Sequence, residues 1–404
     1  SCTVDRMDND LPNIGQEIRR LRKWRNMTLD ALAGQAGITK GYLSKIENGN
    51  ANLERRRTIK AIAEALRVSV ADLTGDHFIA DKANSEAHAA IPDIRIALMS
   101  TTLELPHGAS NRTIEELALE TQRLAEARVN CQDSLVGHAL PSLLMDLHAS
   151  ATNDNNDRLP ALQSLVQATN STAHFLKNLG AVDLAWVAAE RGHQAAQILD
   201  DPLYLAAADY ARAQALIGLG AYDRADAIAR NAVSMLAPET VASTEVYGMN
   251  VLVTAFCSEM AGEDPEAALQ EAQASAERIE PGNAFWLNFS RANVSLWRLS
   301  IALEAGDHVK AAEVAAEVQP SDIPTKTRRL RFLVDHARAL HGLRGRDDEV
   351  IQLLGQAERL GATRTRHNLW VREIVSEMVL RARRDSGGRE LRGLADRMGL
   401  LSAL

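Results

Sequence analysis

The sequence predicts an all-α chain in two unequal parts, a head of short helices near the amino end and a long helical repeat body behind it. Three observations carry that expectation. Alanine supplies 65 of the 404 residues and aromatics only 4%, a composition that favours closely packed helices over sheet. A short phrase built on glycine recurs at intervals of 40, 42, 44 and 39 residues, a period found in helical solenoids. Between Thr28 and Gly49, two brief amphipathic stretches flank a glycine turn.

The head is read element by element. Asn13 and Gln16 suit a capping box, followed by a helix face of Ile14, Ile18 and Leu21 among arginines. Thr28 caps the next helix, with Asp30 in its first turn, and Leu29, Leu32 and Ala33 face inward. Gly37 stands where the chain must turn with positive φ. Thr39 caps a further helix that buries Leu43 and Ile46 and stops at Gly49. Lys40, Gly41, Tyr42, Ser44, Lys45 and Asn48 are left outward, which is the layout of a recognition helix. Ile59, Ile62, Ala63 and Leu66 make another amphipathic helix, and Ser69 with Asp72 caps a last one. Residues 12–75 carry a charge balance of +6, whereas residue 76 onward carries −12. A basic head on an acidic body suits a chain that docks only its head on phosphate.

On these residues, and above all Leu43-Ser44-Lys45-Ile46-Glu47-Asn48-Gly49, the segment resembles the helix-turn-helix domain of the Xre/Cro/C1 repressor family. The resemblance implies a lambda-repressor-like domain of five helices over 13–75, after a tail at 1–12. It also implies that Arg22 and Glu47 form a partly buried ion pair holding the first helix to the recognition helix. Read on that layout, Lys40, Ser44 and Lys45 face base edges in the major groove. Gly41 admits a close backbone approach, and Tyr42 meets a thymine methyl or a phosphate. Thr39 and Asn48 suit phosphate contacts, which position without reading sequence. Arg55, Arg56 and Arg57 are expected to clamp phosphate, with a solvated basic run as the alternative.

Beyond a connector at 76–92, the body at 93–404 opens with a helix begun by Pro92. The recurring glycines are Gly180, Gly220, Gly262, Gly306 and Gly345. Small or short side chains follow five residues on (Ala185, Ala225, Ala267, Ala311, Val350) and twelve residues on (Gly192, Ala232, Ala274, Val318, Ala357). Prolines at 202, 238, 281 and 320 break the second helix of successive pairs. This pattern resembles tetratricopeptide-like repeats, with the glycine closing the first helix of each pair. The resemblance puts Asn170, His174, Tyr210, Gln214, Phe256, Asn293, Ser300 and Asp335 on a concave inner wall able to hold a peptide or small-molecule effector. For each of them, packing between repeats is the alternative.

Other chemistry finds no support. The cysteines Cys2, Cys131 and Cys257 are odd in number and far apart, which fits neither disulfides nor a metal site. Asp154-Asn-Asn-Asp157 lacks the glycine and glutamate of a calcium loop, and His336 and His341 do not share a helix face. No phosphate loop or catalytic motif occurs, so no cofactor and no enzyme is expected, nor any membrane span. The expectation is a cytoplasmic transcriptional regulator that binds an operator in double-stranded DNA as a homodimer. Its architecture resembles the peptide-pheromone receptors of the Rgg, PlcR and PrgX type. The alternative is a DNA-tethered scaffold for a protein partner, antitoxin-like or sigma-factor-modulating.

Overall fold

Local capping and apolar spacing set the five helices of the head: α1 (Ile14–Trp24), α2 (Leu29–Gln35), α3 (Lys40–Glu47), α4 (Arg56–Leu66) and α5 (Val70–Gly75). The computed structural model describes residues 14–51, 53–75, 86–104, 108, 110–153, 156–385 and 388–401. The tail at 1–12, Cys2, Asn13, most of the 76–92 connector and Asp154 lie outside them. Thr28 accepts from the Ala31 N–H and Thr39 from the Tyr42 N–H. Ser69 and Asp72 exchange reciprocal bonds at the start of α5. Gly37 adopts φ +65° at the turn. Ile18, Leu32, Leu43, Ile46, Ile62 and Leu66 interlock as a buried core, joined by Leu53 from the loop before α4.

Glu86–Ala89 forms α6 and Ile91–Ser100 forms α7. Ala87 and His88 are buried in the body, with a His88 ring nitrogen 3.2 Å from the Leu179 carbonyl.

Helical hairpins then stack side by side: α8 (Ile114–Val129) with α9 (Asp133–Thr152), α10 (Arg158–Asn178) with α11 (Val182–Leu199), and α12 (Pro202–Leu219) with α13 (Tyr222–Met235). They continue as α14 (Val241–Ala261) with α15 (Glu266–Glu277), α16 (Arg291–Ala305) with α17 (His308–Glu317), and α18 (Lys326–Leu343) with α19 (Asp347–Leu360). Gly180, Gly220, Gly262, Gly306 and Gly345 all take φ between +70° and +83°, so each recurring glycine supplies a left-handed turn after a first helix. The α8/α9 hairpin escaped the sequence pattern because Cys131 holds that position, at φ +59°.

Four of the five small side chains expected five residues after the glycines are fully buried, namely Ala185, Ala225, Ala311 and Val350. Ala267 and Ala274, by contrast, are exposed. After Gly262 the Asp264-Pro265 pair delays the second helix to Glu266, so the inward positions shift by two residues to Leu269 and Ala276.

The stack winds until its ends meet. α8 packs against α18, and α20 (Ala362–Arg366) crosses behind them. There Arg364 makes a buried, bidentate pair with Asp133 at 2.6 and 2.9 Å and donates to the Arg128 carbonyl at 2.8 Å. Thr327 donates to the same carbonyl at 3.1 Å. The chain ends through α21 (Leu369–Asp385) and α22 (Arg389–Arg397). Trp370 on α21 joins the core of the head, so head and body share packing as well as sequence.

Candidate DNA-binding head and interdomain cavity

The recognition helix is held from below by one ion pair. Arg22 on α1 donates from Nε and Nη2 to the two carboxylate oxygens of Glu47, each at 2.7 Å, and from Nη1 to the Met27 carbonyl at 2.9 Å. Both side chains are nearly buried, and the bond to Glu47 raises the arginine pKa further. Two parallel charge-assisted bonds fix orientation as well as distance, so α3 cannot roll relative to α1.

Above that anchor, Thr39, Lys40, Gly41, Lys45 and Asn48 are exposed, while Tyr42 and Ser44 are half-buried. Lys40 bridges to Asp30 at 2.7 Å between two exposed side chains, a pair weak enough to yield to a phosphate or a base. Tyr42 packs against the head core, and burial, then Glu54, push its hydroxyl pKa up, so its ring is partly structural. Asn48 donates to the Ser44 carbonyl at 2.8 Å. Arg19 reaches the Asn48 side chain at 3.5 Å and extends the cationic edge of α3. It was legible in retrospect: Arg19 lies one turn before the anchored Arg22, as Asn48 lies just past Glu47.

Arg55, Arg56 and Arg57 stand at the junction with the body. All three meet the body. Arg56 donates from its backbone N–H to Glu304 Oε2 at 2.9 Å, and its guanidinium pairs with Glu304 Oε1. The guanidinium of Arg55 lies over Gly306, and that of Arg57 lies over Gly262. These glycines end α16 and α14, where unpaired carbonyls give a partial negative charge. Arg56 is thus committed to the body, while Arg55 and Arg57, both exposed, lie beside helix C-termini of the body.

Between head and body lies a cavity of about 390 Å³. Its roof is formed by Arg56, Ile59, Val70, Ala71 and Thr74 of the head, and its walls come from the first helices of successive hairpins. Of the expected concave-wall residues, His174, Tyr210, Gln214, Phe256 and Ser300 line it. The other three lie outside that lining. Asn170 donates to the Ala207 carbonyl at 3.2 Å and Asn293 contacts the Met249 sulfur at 3.1 Å. Asp335 is buried between Arg331 and Arg338, at 2.5 and 3.1 Å. Burial pushes the Asp335 carboxyl up, but the two guanidinia outweigh it and hold the pKa below its ordinary value.

The sequence pattern missed the charge of this cavity. Arg56, Arg128, Lys177, Arg328, Arg331 and Arg364 line it, with no aspartate or glutamate among the described lining residues. Burial, together with Arg331, Arg56 and Arg328, lowers the Lys177 pKa to about 7. Burial, with Arg364 and Arg328, lowers that of Arg128 to about 9. His174 is pushed well below its usual range by burial and by Arg128, and so is neutral.

Comparison with known proteins concerns mainly the head. Residues 13–74 match the family model of a helix-turn-helix domain. This stretch is similar to the HTH-type transcriptional repressor RghR of Bacillus subtilis (strain 168), at 36% identity over 58 residues. It is also similar to the uncharacterized HTH-type transcriptional regulator RghRB of the same organism, at 41% identity over 59 residues. The matches cover 14% and 15% of this chain and 43% and 42% of those relatives, less than half of each. The crystal structure of Bacillus thuringiensis PlcR in complex with the peptide PapR7 and DNA aligns over 66% of this chain and 95% of that one, at 16% identity and a TM-score of 0.32.

Proposed function

We propose that this chain, with an Xre-type helix-turn-helix head on a tetratricopeptide-like body, is a sequence-specific DNA-binding transcriptional regulator governed by an effector in the interdomain cavity. The observation that carries the reading is the pairing of two features. An exposed Lys40–Asn48 face is anchored by Arg22 and Glu47, and the same head roofs a cavity in the body. In this reading Lys40, Ser44 and Lys45 contact base edges, and Thr39, Asn48 and Arg19 contact phosphate. Thr39 keeps its cap to Tyr42 throughout.

An effector touching both Arg56 of the head and Lys177 of the body shifts operator affinity by its preference for one head arrangement over another. A homodimer would present two heads to half-sites roughly 34 Å apart, or a multiple of that. We place such a regulator in the cytoplasm. Among the described residues no helix is long and apolar enough to cross a membrane. A cavity of about 390 Å³ beneath the head suits a small effector better than a docked protein partner.

The test is operator binding by the full chain, after selection of a duplex from a random library, in the presence of cell extract fractionated by size. A change of affinity confined to the small-molecule fraction supports the reading. A change caused only by a protein fraction replaces it with the scaffold.

A further inference from the structure

Among the described residues, the cavity wall holds cations with no paired carboxylate. Arg331, Arg364 and Arg56 are matched by Asp335, Asp133 and Glu304. Arg128, Lys177 and Arg328 are not. Arg128 donates to the Trp286 carbonyl at 3.4 Å, Lys177 donates to Gln214 Oε1, and Arg328 donates to the Leu287 carbonyl at 2.9 Å. Those acceptors are all neutral. The buried polar atoms of the lining that lack a partner include three donors, Arg128 Nε, Gln214 Nε2 and Trp297 Nε1, one acceptor, Asn288 Oδ1, and His174 Nε2, which is either according to its tautomer. Arg128 is 5% exposed and Gln214 is 8% exposed, so water does not freely solvate them. Desolvated charge without a counter-ion is costly. Next to these groups stand aromatic faces, with Phe256 and Trp297 packed edge to face at 6.1 Å. About 390 Å³ is an ordinary size for a small-molecule site.

We propose that the cavity binds a compact organic anion, its carboxylate or phosphate taken by Arg128, Lys177 and Arg328 and its apolar part lying against Phe256 and Trp297. The three cations come from α8 and α10, which are neighbours in the stack, and from α18, which meets α8 only because the superhelix closes on itself, so the anion also ties the ring together. This rests on the reading of the cavity as an effector site and names the effector's chemistry.

The experiment is thermal unfolding of the full chain at fixed ionic strength with phenyl phosphate, 3-phenylpropionate or uncharged 3-phenylpropanol, each at millimolar concentration. The same is done for Lys177→Met and Arg328→Gln. The two anions are expected to raise the wild-type midpoint by a few degrees, the alcohol is not, and both variants lose the anion shift. Each variant removes a cation that has no paired carboxylate among the described residues, so its ligand-free midpoint is expected at or above that of wild type, which separates loss of binding from loss of fold. A Phe-Ala dipeptide as free acid and as amide separates the sources. A larger shift with the free acid than with phenyl phosphate assigns a peptide carboxylate, and the reverse assigns a phosphorylated or carboxylated metabolite. No anion-specific shift in wild type, or an equal shift in both variants, overturns the proposal. The assay contains no DNA, so its failure leaves the DNA-binding reading standing, and failure of operator selection leaves this one standing.

Discussion

Glu304, at the end of α16, caps the start of α4 by accepting the Arg56 N–H at 2.9 Å while also pairing with the Arg56 guanidinium. Helix α4 has no side-chain cap of its own, since Arg55 occupies that position. The Glu304 side chain is fully buried and also faces Arg338 at 3.5 Å. Arg338 in turn stacks on Trp370 at 4.3 Å and donates to the Glu54 carbonyl at 3.2 Å. The device recurs at α1, where buried Glu373 accepts the backbone N–H of Ile14. Carboxylates of the body thus meet the positive ends of two head helices.

Removing Glu304 tests that joint. Glu304→Gln leaves Arg56 and Arg338 without their shared counter-charge, and removal of one partner of a buried pair typically costs about 3 kcal/mol or more. Urea unfolding of the variant should give an unfolding free energy lower by that amount, and so a lower midpoint, with the head losing cooperativity with the body. An unchanged midpoint contradicts the tertiary cap.

The two basic surfaces of the head should respond differently. Lys45→Ala should cost roughly 1–3 kcal/mol of operator binding and relax preference at one base pair. Arg57→Ala, over the end of α14, should leave both operator affinity and its salt dependence near wild type. A flattened salt slope for Arg57→Ala, read by fluorescence anisotropy, would show that the arginine run reaches phosphate after all.

Glycines of the body divide by what surrounds them. At Gly192 a Cβ would lie 2.5 Å from Thr169 Oγ1, where that hydroxyl is bonded within its own helix at 2.7 Å. Gly192→Ala should therefore destabilise by about 1–3 kcal/mol, as overpacking does. Gly355, inside α19, meets only the far end of Arg359 at 3.7 Å, so Gly355→Ala should stabilise by up to about 1 kcal/mol. Denaturation of the two variants side by side checks the opposite signs.

Lys177 predicts a pH dependence. Its folded pKa is about 7, below that of the unfolded lysine, so the unfolded chain binds more protons above pH 7 and stability rises with pH there. Arg128, lowered to about 9, adds the same sign only above that value. Glu373, raised to about 7 by burial, acts below it, with stability falling as pH climbs. Between about pH 7 and 9, Lys177→Met should unfold with a flatter midpoint-versus-pH line than wild type. Parallel lines would contradict the assignment.

What was legible in the sequence was what short-range rules determine. Thr28, Thr39, Gly37 and the five repeat glycines announce caps and left-handed turns within a few residues of themselves, so the head and the hairpin period could be read directly. Arg55, Arg56 and Arg57 could not, because charge alone does not say whether the counter-charge is a phosphate or a helix end some two hundred and fifty residues on. The cavity's cations lie at 128, 177 and 328, and the third joins the other two only through ring closure, a long-range property. Ala267 and Ala274 missed inward positions because two residues, Asp264-Pro265, shifted one repeat.

The central claim is that α3, held by Arg22 and Glu47, reads duplex DNA. Its most direct measurement is selection of duplexes from a random library by the full chain, followed by anisotropy titration of the selected duplex with wild type and Lys45→Ala. The account predicts a recurrent motif in two half-sites, salt-sensitive binding, and loss of preference at one position in the variant. Absence of any enriched motif, or a variant indistinguishable from wild type in affinity and preference, would contradict it.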